Sequence, residues 1–182
     1  MGQKGDIMSD LSTLGVTLHY GVETKAGSKP TTFTWLKRCN AIDGISLDTD
    51  QIDVSALEDY IAQYTAGRQD TGGSWTVTFN MNPDVITAIK KLFSDAKTAK
   101  SSGLNVWFEI VFPGLTDAFF VIADPGINIP LPDISQASAA TLPISMVVKE
   151  YKGLDTKVVS ETSELALDDA KVTADSFNAP LS

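Results

Sequence analysis

Apolar and polar positions alternate most cleanly on the two sides of one helical stretch. Trp75, Val77 and Phe79 are separated by Thr76, Thr78 and Asn80, the period of two expected of a strand with one buried face. Asn82-Pro83-Asp84 then opens a helix. The Asn82 side chain can accept from the free N–H groups of a first turn, Pro83 has no N–H to leave unpaired, and Asp84 suits the positive end of the helix dipole. Val85, Ile86, Ile89, Leu92, Phe93 and Ala96 recur at helical spacing, with Lys90, Lys91, Lys97 and Lys100 off the stripe. This predicts an amphipathic helix over 83–101. Ser101-Ser102-Gly103 stops it, because glycine readily takes the left-handed conformation that ends helices. Val106, Phe108, Ile110 and Phe112 then alternate with Asn105, Trp107, Glu109 and Val111. The expected centre of the fold is therefore one helix laid against a β-sheet.

The remaining pattern adds strands around this centre. Val16, Leu18, Tyr20 and Val22 form a first strand, and Phe33 and Trp35 a second after the turn cluster Ala26 to Pro30. Residues 37–73 read as a long loop. They hold short apolar pairs broken by Asp43-Gly44, Asp48, Asp50 and Asp53. Ser55 with Glu58 three residues on has the spacing of a capping box, which predicts a short helix from Ala56 to Tyr64. Connections this long are usually functional. Ala118 to Ala123 is almost continuously apolar, as in a strand covered on both faces. Pro130 and Pro132 confine Ile127 to Leu131 to an edge or loop. Leu142, Ile144, Met146 and Val148 give a last strand ending near Gly153. The expected organisation is an arm over 1–14, one β domain over 15–153 and a polar tail over 154–182.

Composition narrows the function. A formal net charge of −9 argues against a nucleic-acid-binding surface, which needs clustered Lys and Arg. The single cysteine, Cys39, cannot form an internal disulfide, and with no His near it in sequence it reads as a small hydrophobe. No segment reaches the roughly 18 apolar residues of a membrane span, and Met1 to Asp10 lacks an apolar signal core, so a cytoplasmic origin is expected. His19, the one histidine, sits in a strand pattern without clustered partners. Asp48 to Asp53 lacks the glycine and glutamate of a calcium loop and reads as a polar turn. Gly67, Gly72 and Gly73 are followed by no Gly-Lys-Ser/Thr. Glu109 reads as an outward-facing carboxylate. No catalytic, cofactor or metal site is expected, and the chain is expected not to be an enzyme.

The order of these pieces carries a resemblance. Phe33-Thr34-Trp35 and Ile42-Asp43-Gly44-Ile45 are followed by Ile52-Asp53-Val54-Ser55-Ala56-Leu57-Glu58-Asp59-Tyr60 and a glycine-rich return. Trp75 to Asn80 with its helix, Trp107-Phe108-Glu109-Ile110 and Pro143 to Val148 complete the set. Taken in this order, the chain resembles the major tail tube proteins of long-tailed (siphovirus-type) bacteriophages over residues 15–153. The Ile52 to Leu57 segment is similar to that family's isoleucine, aspartate, valine, threonine or serine, x, leucine stretch. The chain departs from the family in its N-terminal arm and in the tail after Gly153.

The resemblance implies a mostly β fold with one packed α-helix, an α+β β-sandwich or barrel related to type VI secretion tube proteins. It implies self-assembly into stacked hexameric rings forming a hollow conduit in the virion tail, through which DNA passes without specific binding. The tape measure, tail tip and tail terminator proteins are the implied partners, and the host cytoplasm the place of assembly. Asp43, Leu47, Asp48, Asp50, Ile52, Asp53, Leu57 and Tyr60 are the candidate inter-ring contacts, and Ser74, Thr76 and Thr78 the candidate lumen-facing strand. The alternatives are a tube subunit of a contractile tail or secretion-like machine, and a monomeric β-sandwich binding module with Trp107 and Tyr151 in an aromatic patch.

Overall fold

The computed structural model describes residues 11–159 except Asp59, Asp133 and residues 135–137. Strands β1 (Thr17–Val22), β2 (Thr34–Leu36), β3 (Cys39–Ile42), β4 (Asp48–Asp53), β5 (Tyr64–Asp70) and β6 (Ser74–Asn80) precede helix α1 (Pro83–Ser101). Strands β7 (Val106–Val111), β8 (Asp117–Asp124) and β9 (Thr141–Thr156) follow it. The fold is mostly β, with a single helix among the described residues. Seven strands form one sheet in the order β2-β1-β7-β8-β9-β6-β3, while β4 and β5 form a separate two-stranded sheet. Every pairing is antiparallel.

The two edges of the large sheet are sequence neighbours. Only Lys37 and Arg38 separate β2 from β3. Two residues can bridge at most about 11 Å between the flanking Cα atoms, so seven strands joined this way must curl back on themselves. Arg38 makes the corner at φ 65, and its carbonyl accepts from the Asn80 N–H at 2.9 Å, tying the corner to β6. The sheet thus has a concave inner face and a convex outer one.

The inner face holds the main core. Leu18, Tyr20, Trp75, Val77, Phe79, Phe108, Ile110, Val121, Leu142, Ile144 and Met146 meet there. The stripe Val85, Ile89, Leu92, Phe93, Ala96 and Ala99 of α1 packs into the same cluster. Trp75 and Phe108 pack edge to face at 5.5 Å. Each fully buried Phe or Leu contributes about 1.5–3 kcal/mol of transfer free energy, so this cluster dominates the stability of the domain.

The helix starts and stops where its sequence signals lie. Asn82 Oδ1 accepts from the Val85 N–H at 2.7 Å. Beyond Ser102, Gly103 takes φ 69 and donates to the Lys100 carbonyl at 3.2 Å. Tyr20 Oη donates to Asp95 at 2.8 Å across the helix–sheet seam. Burial, and then that hydrogen bond, push the Tyr20 phenol up to about 12.

Three expectations are corrected. Residues 37–73 are not one loop, for they contain β3, β4 and β5. No helix forms over Ala56 to Tyr64: β4 and β5 make a hairpin, with a turn at Leu57-Glu58. The Ser55 hydroxyl, expected to cap a helix, accepts from the Gln63 N–H at 2.8 Å across the hairpin instead. A single short helix without a packing partner is marginal, whereas the hairpin pairs both backbones. The third concerns Glu109, which is fully buried rather than outward into solvent. β7 is buried on both faces, as β8 was expected to be and almost entirely is. β9 also runs past Gly153 to Thr156.

Candidate functional site

The β4–β5 hairpin is an arm. Every described residue from Ser46 to Ala66 is exposed. Its apolar side chains have no cover: Ile52, Val54 and Tyr64 are more than half exposed, Ile61 is 80 % exposed, and Leu57 and Tyr60 are fully open. Backbone pairing carries the arm, with Ile52 opposite Thr65 and Asp53 opposite Tyr64. The Asp53 carboxylate accepts from the Ser55 N–H at 2.9 Å and its hydroxyl, which hold it below the usual carboxylate range. At the root, Asp48 stands opposite Asp70, a like-charge pair that weakens the ladder there.

Of the candidate contact residues, the structure brings Asp48, Asp50, Ile52, Asp53, Leu57 and Tyr60 together on this arm. Leu47 leads into it and is exposed. Asp43 lies elsewhere. Its N–H donates to the Thr76 carbonyl at 3.0 Å and its carbonyl accepts from Trp75 Nε1 at 2.9 Å, which fixes it to the body. Val54, Ile61 and Tyr64 also stand exposed on this arm and were not among the candidate contacts.

Ser74, Thr76 and Thr78 share the outer face of β6, opposite Val147, Ser145 and Pro143 of β9. Thr76 and Ser145 hydroxyls meet at 3.1 Å. The β6 side chains of this half are polar, beside the exposed Val147 of β9, and these β6 residues stay partly open to solvent.

The other half, over β1, β7 and β8, is covered. Trp107, Val111, Ala118, Phe120 and Ile122 form a second cluster, closed by Phe33 and Val158. The β1–β2 loop lies so close to β1 that a side chain on Gly21 would meet the Thr32 carbonyl at 2.7 Å. Lys29 sits 3.8 Å over the Phe120 ring and donates to Asp155 at 2.9 Å and to the Thr156 carbonyl at 2.6 Å. Two buried carboxylates lie here. Glu23 accepts from Trp107 Nε1 at 2.8 Å and the Asn105 N–H at 3.0 Å. Those bonds outweigh burial and keep it below the ordinary range. Glu109 Oε1 accepts from the N–H groups of Val158 at 2.8 Å and Val159 at 3.4 Å, while its Oε2 is buried without a partner among the described residues. Burial raises its pKa above the usual carboxyl range. His19 stands directly opposite Glu109 in the β1–β7 ladder, bonded to Thr17 at 3.0 Å and stacked on Trp35. Burial lowers it to about 4, so it is neutral at pH 7.

A pocket of about 570 Å³ opens on the inner side, bounded by Cys39, Ile42, Ile45, Trp75, Phe119 and Tyr151. Burial pushes the half-buried Cys39 thiol up to about 11, which leaves it a poor nucleophile. Among the described residues no three His, Cys, Asp or Glu side chains gather to hold a metal ion. Trp107 and Tyr151 face opposite sides of the sheet and make no common patch.

No family model and no curated protein matches the chain. Among solved structures it is similar to a chain of the anti-feeding prophage baseplate, seen in a six-fold symmetrised cryo-EM structure. The TM-score is 0.45 at 10% identity, over 79% of this chain and 95% of that one. A likeness this faint says nothing of function.

Proposed function

We propose that this chain is a structural subunit of a bacteriophage tail tube, assembling with copies of itself into stacked, hexameric rings around a channel for DNA. The observation that carries the proposal is the arm: a two-stranded hairpin with six large apolar side chains in water and none of its own surface to bury them against. Large apolar side chains left this exposed suit an interface, and a hairpin alone is marginally stable in water. The arm then packs against the neighbouring ring, with Asp48, Asp50, Ile52, Asp53, Leu57 and Tyr60 at the contact and Leu47 at its base, while Asp43 stays with the body. The polar, partly open strip of Ser74, Thr76 and Thr78 is the candidate channel wall, where a net negative subunit would repel passing DNA rather than hold it. Tape measure, tail tip and tail terminator proteins would complete the tail of the virion. A tube subunit of a contractile tail shares this architecture and would add a sheath partner.

Negative-stain micrographs of the concentrated protein test the proposal. Rings or hollow tubes with an axial hole are expected, and an arm deleted from Ser46 to Tyr60 should leave folded subunits that form neither. Normal tubes from that deletion would refute the assigned contact. The 570 Å³ pocket favours a second reading, a monomeric binding module. It predicts a monomer at every concentration and a ligand that quenches Trp75 fluorescence.

A further inference from the structure

The covered half of the outer face is closed by chain that arrives after the last strand. Beyond Thr156 the backbone leaves the sheet and lies across β7, where Val158 closes the Trp107–Phe120 cluster. Lys29 clamps the root of this segment through Asp155 and the Thr156 carbonyl. Past that clamp, the backbone N–H groups of Val158 and Val159 both reach one oxygen of Glu109. A strand-ladder partner would have used backbone acceptors. Here the acceptor is a side-chain carboxyl with no exposed surface, and its second oxygen has no hydrogen-bond partner among the described residues. A buried carboxyl satisfied on one oxygen only is poorly suited to carry a charge.

We propose that residues 157–159 form a strap over the outer face of the sheet, and that Glu109 is its catch, holding the strap while the carboxyl keeps its proton and loosening it when the proton leaves.

The sign follows from burial. With the strap closed, Glu109 is shut away from water and burial raises its pKa, against the weaker opposing effects of the two N–H groups, Lys29 and Lys157. With the strap lifted, water reaches the carboxyl and its affinity for a proton returns toward the ordinary value. The closed form binds the proton more tightly, so acid favours closure. The closed-to-open ratio is highest below the open-state pKa and falls as pH rises through the closed-state one, by about tenfold for each unit between them. The charged and titratable groups around the catch are His19 across the ladder, Lys29 on the β1–β2 loop, and Lys157 with Asp155 on the strap itself. Asp155, paired with Lys29, is held below the usual range. His19 charges only near pH 4, and its charge would favour an ionised Glu109, opposing closure at the acid end. Opening the strap takes Val158 off the Trp107–Phe120 cluster, on which Phe33 remains, without disturbing the inner core. The inference is independent of the tube reading.

The test is amide hydrogen exchange at Val158 and Val159 in the full chain, from pH 5 to 8, corrected for intrinsic exchange. Protection should fall at least tenfold as pH rises, and the profile should be flat in Glu109→Gln. His19→Gln should keep the slope. A flat wild-type profile, or an unchanged slope in Glu109→Gln, overturns the proposal. Because Glu109→Gln could perturb packing, Val158→Pro gives an independent check: it removes the shorter hydrogen bond at the surface. The Glu109 carboxyl, followed by its carbon chemical shift, should then titrate at lower pH than in the wild type. An unmoved midpoint would show that the strap does not govern the carboxyl.

Discussion

Two β-structures in this chain, the apolar β7 and the largely acidic β4, have opposite surroundings. In β7 every residue is buried on one face by the inner core and on the other by the β1–β2 loop and the strap. In β4 every residue is exposed, although Ile52 there is as apolar as Ile110 in β7. β7 is paired on both edges, with β1 and β8, and β4 on one, with β5. The difference teaches that hydrogen-bonded ladders place strands, while burial on the faces decides whether they are stable by themselves. β7 is complete within one chain. The arm has its ladder and lacks its cover, so whatever stabilises it must come from outside.

The contrast can be broken first in the body. Phe108→Ala empties a fully buried site between α1 and the sheet, and should lower the unfolding free energy by about 3–5 kcal/mol in urea titrations. His19 gives a pH-dependent effect of similar size. Its pKa is about 4 when folded against 6.5 for a free imidazole. The folded state binds fewer protons there, so stability is fully present above pH 6.5 and is lost as pH falls toward 4. Between those limits the wild type should lose on the order of 3 kcal/mol relative to His19→Gln; equal pH dependence in the two would show that His19 is not buried neutral. Asn82→Ala removes the cap on Val85 and should cost about 1 kcal/mol. The smallest stability effect belongs to the arm. Leu57→Asp, at a fully exposed site, should change unfolding by less than about 0.5 kcal/mol while abolishing tubes in negative stain. A stability loss like that of Phe108→Ala would mean that the arm folds back on the body.

Much of the body was legible in the sequence because its signals are local. Asn82, Pro83 and Gly103 state where α1 begins and ends through their own backbone chemistry, and Trp75, Val77 and Phe79 declare a face by alternation. The arm was misread for a physical reason. Ser55 and Glu58 have helix-start spacing, yet the Ser55 hydroxyl is equally able to accept from Gln63 across a turn, and with no surface to pack on nothing favours the helix. Glu109 was misread because what buries it arrives 49 residues later in the chain at Val158. Alternation reports how many faces a strand can bury, not which distant segment will lie on the second. The curl of the sheet was equally hidden, since it follows from β2 and β3 ending on opposite edges although two residues join them.

The length of β9 bears on how the molecule comes into being. Its first half pairs with β6 and its second with β8, so it is the seam between β6–β3 on one side and β8, β7, β1 and β2 on the other. As the chain emerges during synthesis, β7 and β8 can pair with each other and with β1, but β6 and β3 have no route into that sheet until residue 156 has appeared. The core of Trp75, Phe79 and α1 therefore waits, half lined, for one late strand. Folding dominated by such distant pairings is slow, and for that interval the apolar arm and the unfinished inner face are bare together. Whatever guards the nascent chain must act until β9 closes the seam.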